Sequence, residues 1–88
     1  MRFEYDAAKS AANLARHGMD FVTVQELWAG FTLSAPAKDV DEPRMLVVGM
    51  IAGRHWTAIV TRRGEFTRII SARGSRDSEK AAYEKALQ

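Results

Sequence analysis

The sequence predicts an α+β domain in which an antiparallel sheet of three to five strands carries N-terminal helices and a C-terminal helix. Three observations predict it. Apolar residues recur at helical spacing in the N-terminal third and again near the C-terminus. The stretch 44–73 is instead rich in β-branched and apolar residues, and Gly53 and Gly64 divide it into pieces of hairpin length. With 88 residues, 47% of them hydrophobic and 27% charged, the chain is expected to fold as one globular domain over 1–88.

Taken in order, residues 2–5 alternate polar and aromatic side chains and read as a short strand. Asp6 is a good N-cap for a helix over 7–17, which Gly18 ends. Phe21, Val24, Leu27 and Trp28 then fall at helical spacing between an Asp20 cap and Gly30, giving a second short helix. Residues 31–35 read as a strand, 36–43 as a polar loop and 44–52 as a buried β run. Residues 54–62 and 65–73 form successive hairpin strands. Gly74 and Ser75 precede a final helix over about 76–87, with Ala82, Tyr83, Ala86 and Leu87 on one stripe. The helices are expected on one face of the sheet, leaving the other open to solvent.

Charge is distributed unevenly. Residues 1–43 carry four basic and seven acidic side chains, net −3, while residues 44–88 carry nine basic and four acidic, net +5, which together give the chain its +2. Within 54–76, six arginines (Arg54, Arg62, Arg63, Arg68, Arg73 and Arg76) accompany a single acid, Glu65. Guanidinium groups at this density on a sheet suit a polyanion, because each offers a planar fork of donors that matches phosphate. Nucleic acid is the commonest such partner. The same arginines would also serve simply to solvate an open face and blunt its edges.

Other chemistries find little support. There is no cysteine, which excludes disulfides, thiolate metal sites and cysteine nucleophiles. Two well-separated histidines do not make a transition-metal site, and no glycine-rich nucleotide loop is present, so no cofactor is expected. The longest apolar run, 45–52, is far too short to span a bilayer, and residues 1–6 lack a signal-peptide core. A cytoplasmic location without a membrane partner is the expectation.

Several residues also occur in a telling order: Phe3, Glu4, Tyr5 and Asp6, then Lys9, Asn13, Arg16, His17, Gly18 and Phe21, and later Arg68, Ile69, Ile70, Ser71, Ala72 and Arg73, followed by Glu79 and Tyr83. In these the chain resembles the BrnT family of type II toxins over residues 3–83. Tyr5 stands where that family often has tryptophan. The resemblance implies a RelE-like fold and a ribonuclease that blocks translation. It also implies a BrnA-type antitoxin with a ribbon-helix-helix pattern, which neutralises the toxin by direct contact and through which alone the toxin would meet DNA.

A metal-independent route to RNA cleavage is attack of the ribose 2′-hydroxyl on its own adjacent phosphate. On this reading Arg68 and Arg73 stabilise the phosphorane charge, and Arg62, Arg63 and Arg76 position the backbone. Under strict alternation Arg68 and Arg73, five apart, fall on opposite faces of their strand, so their convergence needs a bulge or a strand that ends before Arg73. Candidates for proton transfer are His17, His55, Lys9, Glu79 and Tyr83. His17 also has an ordinary reading as a residue at a helix C-terminus, and Tyr83 as part of the apolar stripe. Lys9 is a candidate RNA contact or a surface partner of Asp6, and Tyr5 is the better stacking candidate if bases are splayed onto the surface. Ser71 reads as a packing or hydrogen-bonding residue. A noncatalytic binding module that uses the basic sheet remains the second reading.

Overall fold

The computed structural model describes residues 1–37 and 43–88. The middle of the expected polar loop over 36–43 lies outside the described residues. Five strands form one sheet in the order β1-β5-β4-β3-β2: β1 (Arg2–Glu4), β2 (Leu33–Pro36), β3 (Met45–Ile51), β4 (Arg54–Arg63) and β5 (Phe66–Gly74). Helix α1 (Ala7–His17) and a 3₁₀ helix (Thr23–Ala29) lie between β1 and β2, and α2 (Asp77–Leu87) closes the chain.

The sheet is mixed rather than purely antiparallel. Strands β2 to β5 pair antiparallel, but β1 lies parallel to β5, Phe3 opposite Thr67. The reason is connectivity: β3-β4 and β4-β5 are joined by two-residue turns, whereas most of the chain separates β1 from β5, so no hairpin dictates their direction. The turn at Ala52 and Gly53 has positive φ at both residues, 51° and 78°, which matches the right-handed strand twist of a tight hairpin.

Helix α1 starts where Asp6 accepts the Lys9 main-chain N–H at 3.0 Å and stops where Gly18 adopts φ 79° and donates to the Leu14 carbonyl. The expected second helix is a 3₁₀ helix, and the apolar spacing explains it. Phe21, Val24 and Leu27 recur every third residue, which lines up on one side at 3.0 residues per turn. All three are fully buried. Asp20 accepts the Thr23 N–H at 2.7 Å, as expected of a cap.

On one face of the sheet Val47, Ile51, Trp56, Ala58, Val60, Ile69 and Ala72 pack against Met19, Phe21, Val24 and Leu27 to form the core. The alternate residues of β4, among them His55 and Thr57, face the other way. There they meet α2: Thr57 donates to Glu79, and His55 pairs with Glu84 at 2.7 Å. The helices therefore flank both faces, and the second face is only partly open. Of the stripe expected on α2, Tyr83 alone is buried, while Ala82, Ala86 and Leu87 are exposed. Polar contacts and the one buried ring of Tyr83, rather than an apolar stripe, fasten this helix.

Strand β1 pairs only with residues Phe66, Thr67 and Arg68 of β5. Beyond them α1 covers the strand edge, and Asn13 acts there as a surrogate strand. Its side-chain nitrogen donates to the Ala72 carbonyl at 2.8 Å and the Met19 carbonyl at 2.7 Å, and its oxygen accepts the Ala72 N–H at 3.3 Å. Asn13 is itself buried. Asn13→Ala is expected to destabilise the fold by about 1–3 kcal/mol through stranded edge groups. Urea unfolding checks this, and Asn13→Asp, which sets a carboxylate against two carbonyls, should cost at least as much.

Candidate functional site

Along β5 the ladder slips once. Ile59 pairs with Ser71 and Val60 with Ile69, so Ile70 is an extra residue in a β-bulge. The bulge resolves the face problem posed by Arg68 and Arg73. Arg68 lies opposite Thr61 and Arg73 opposite Thr57, and these threonines share a face, so the two arginines do as well. They nevertheless do not form one cradle. Their partners lie four positions apart on β4, roughly 13 Å at the rise of a strand.

Each of these arginines also faces a carboxylate. Arg68 Nη1 lies 3.3 Å from Glu4 Oε2. Arg73 holds Glu79 with two parallel bonds, Nη1 to Oε1 at 2.8 Å and Nη2 to Oε2 at 2.9 Å. Glu79 Oε1 further accepts the Thr57 hydroxyl at 2.9 Å and the Arg76 main-chain N–H at 2.8 Å. The Arg73 guanidinium, aided by the Arg76 N–H and the Thr57 hydroxyl, holds the Glu79 carboxyl down at about 2 against the opposing effect of burial. A carboxylate so fully satisfied is a poor proton acceptor near neutrality. Its evident work is to bind the start of α2 to β4 and β5.

A different place offers positive charge without a salt bridge. Between α1 and the bulged part of β5 lies a hollow of about 170 Å³, lined by Lys9, Ala12, Asn13, Arg16, His17, Ile70 and Ser71. Helical spacing brings Lys9, Asn13, Arg16 and His17 to one side of α1, and the bulge turns Ile70 toward them. No carboxylate lines this hollow. Lys9, Arg16 and His17 are exposed, and none of them forms a salt bridge among the described residues, although Asp6 lies within electrostatic reach of Lys9. Ser71 Oγ lies 3.4 Å from Asn13 Oδ1 at the floor.

The other sequence candidates are dispersed. Tyr83 is 4% exposed; its hydroxyl donates to the Phe31 carbonyl at 3.3 Å and its ring packs on Phe31 and His55. That position gives it packing, with no open side for a substrate. Tyr5 is half-buried and packs edge-on against Phe21, ring centres 5.8 Å apart, which leaves little of its face for a base. Arg62 and Arg63 are exposed at the far end of β4, and Arg76 is exposed ahead of α2. A wider depression of about 490 Å³, lined by Pro43, Met45, Thr61 and Arg62, has a single cation.

Sequence reasoning singles out Lys9 and His17 but gives no site role to Arg16, Asn13 or Ser71. The available signal is the spacing of Lys9 and Arg16, seven apart and therefore on one side of α1.

The chain is thus a small α+β domain with a cationic hollow at its sheet edge. The model of a family described as "Ribonuclease toxin, BrnT, of type II toxin-antitoxin system" matches residues 5–79. The chain belongs to this family of ribonuclease toxins. No curated protein matches it. Among the described residues no helix is long and apolar enough to cross a membrane, and no three of His, Cys, Asp and Glu group where they would hold a metal ion.

Proposed function

We propose that the chain is a metal-independent endoribonuclease whose reaction takes place in the hollow between α1 and β5. The observation that carries this reading is the gathering of Lys9, Arg16 and His17 around a carboxylate-free depression. An RNA phosphate seated there meets the Lys9 ammonium, the Arg16 guanidinium and the His17 imidazole. His17 removes the proton of the ribose 2′-hydroxyl as its oxygen attacks the adjacent phosphorus. Arg16 and Lys9 neutralise the phosphorane. The P–O5′ bond then breaks, and the Lys9 ammonium protonates the departing 5′-oxygen. The products are a 2′,3′-cyclic phosphate and a free 5′-hydroxyl.

Arg68, paired with Glu4, lies outside the lining of this hollow. With Arg62 and Arg63 at the far end of β4, it positions the RNA backbone. Arg73, Glu79 and Tyr83, for which the sequence suggested catalytic roles, hold the last helix in place instead.

In the cell the enzyme acts on cytoplasmic RNA and arrests translation. A BrnA-like ribbon-helix-helix antitoxin neutralises it by covering the cationic hollow, and DNA is contacted only through that partner. Purified protein is expected to cleave RNA in the presence of EDTA and to leave cyclic phosphate ends. Lys9→Ala and Arg16→Ala should each lower the cleavage rate by about a hundred- to a thousandfold, the usual loss for one transition-state donor. Chelator-sensitive cleavage, or RNA bound but left intact, would contradict the proposal.

A further inference from the structure

We propose that Arg54, seated over Trp56, is a stacking platform for a base of the RNA next to the cleaved phosphate. This inference rests on the ribonuclease reading above and adds a substrate contact to it. The guanidinium carbon of Arg54 lies 5.0 Å from the centre of the indole. A guanidinium seated over an aromatic ring keeps its outer side for a second planar group.

Three further features suit this use. Arg54 is exposed and pairs with no carboxylate among the described residues, unlike Arg68 and Arg73. Trp56, 6% exposed, is anchored in the core and gives the guanidinium a rigid base. Gly74 lies opposite Trp56 in the ladder, and a Cβ built on it would stand an ordinary contact distance of 3.4 Å from Arg54 Nη2, so the guanidinium reaches over β5 beside Gly74.

The topology places this platform at the correct end of the hollow. Helix α1 runs along β5 in the strand's own direction: Asp6 is within electrostatic reach of Arg68, and Asn13 holds Ala72. His17 is one helical turn beyond Asn13, and Gly74 is two strand residues beyond Ala72, each an advance of roughly 6 Å. The imidazole and the Arg54 guanidinium are therefore level at one end of the sheet. An RNA strand threading past His17 reaches Arg54 with its next exposed base.

The test uses the full chain carrying His17→Ala, so that RNA is bound without being cut, and fluorescence anisotropy of a short labelled RNA. Adding Arg54→Ala to this parent is expected to weaken binding by about tenfold, the scale of one lost base stack. Arg54→Lys, which keeps the charge but not the plane, should recover little of it. An RNA with one abasic position beside the cleavage site should bind the parent and its Arg54→Ala variant equally. Full recovery by lysine overturns the stacking role, as does a loss that persists with every abasic RNA. Unchanged binding by Arg54→Ala overturns the proposal alone, whereas failure of the parent to bind any RNA also removes the ribonuclease reading beneath it.

Discussion

Replacing His17 with alanine is expected to lower the rate of RNA cleavage by roughly a hundred- to ten-thousandfold, the usual contribution of a positioned acid or base. The melting temperature should barely move. His17 is the last residue of α1, is exposed, and holds no other side chain among the described residues, so its removal leaves no buried group unsatisfied. Because Arg16 and Lys9 remain, binding of uncut RNA should survive. Single-turnover cleavage measured beside RNA binding and thermal melting separates these effects. A nearly normal rate in a folded His17→Ala protein would remove the imidazole from the reaction and leave Lys9 as the group in the hollow best able to exchange a proton.

The opposite pattern is expected at Glu79. Glu79→Ala leaves the Arg73 guanidinium without its carboxylate and strips acceptors from the Thr57 hydroxyl and the Arg76 N–H. Both partners of the ion pair are largely buried, with Arg73 20% and Glu79 13% exposed in their side chains, so the cost should be about 2–4 kcal/mol. Its dependence on pH has a definite sign. The Glu79 carboxyl is held at about 2 in the fold against an ordinary 4.5, so its contribution is complete above about 4.5 and fades as pH falls toward 2. Wild type and Glu79→Ala should therefore differ most at neutral pH and converge on acidification. Urea unfolding from pH 7 to pH 3 measures the gap. A gap that widens in acid, or is absent at pH 7, contradicts the structural role assigned to this carboxylate.

Much of the fold was legible in the sequence because local signals agreed with one another. Asp6 and Gly18 bound α1 where their chemistry says they should, and the glycine turns set the hairpins of β3, β4 and β5. The apolar spacing of Phe21, Val24, Leu27 and Trp28 carried a second helix but not its 3₁₀ form, because the same spacing also satisfies a looser helical pattern. What local signals could not carry was direction and pairing at long range. Nothing near Phe3 specifies a parallel partner in β5, and an amide at position 13 gives no sign that it will close a strand edge 59 residues away.

The site was legible in part, for a related reason. The density of arginines in 54–76 was visible, but not which of them would be neutralised. Glu4 is 64 residues from Arg68, and Glu79 meets Arg73 across the link between β5 and α2 at a spacing that no helix or strand repeat flags. Folding thus divides the arginines. Arg68 and Arg73 are paired, whereas Arg16 and Arg54 present their charge to solvent. Lys9 and His17 were recognisable as candidates, but their shared hollow depends on the extra residue Ile70, and a bulge of this kind is set by strand pairing.

The most direct test of where the chemistry occurs is an NMR titration of isotope-labelled wild-type protein with a short RNA whose 2′-hydroxyls are methylated, so that it binds but cannot attack its own phosphate. The largest shifts are expected at Lys9, Arg16, His17, Ile70 and Ser71, with only minor changes at Arg73, Glu79 and Tyr83. Shifts concentrated on the Arg73 and Glu79 pair and α2, with the α1 hollow silent, would contradict the account.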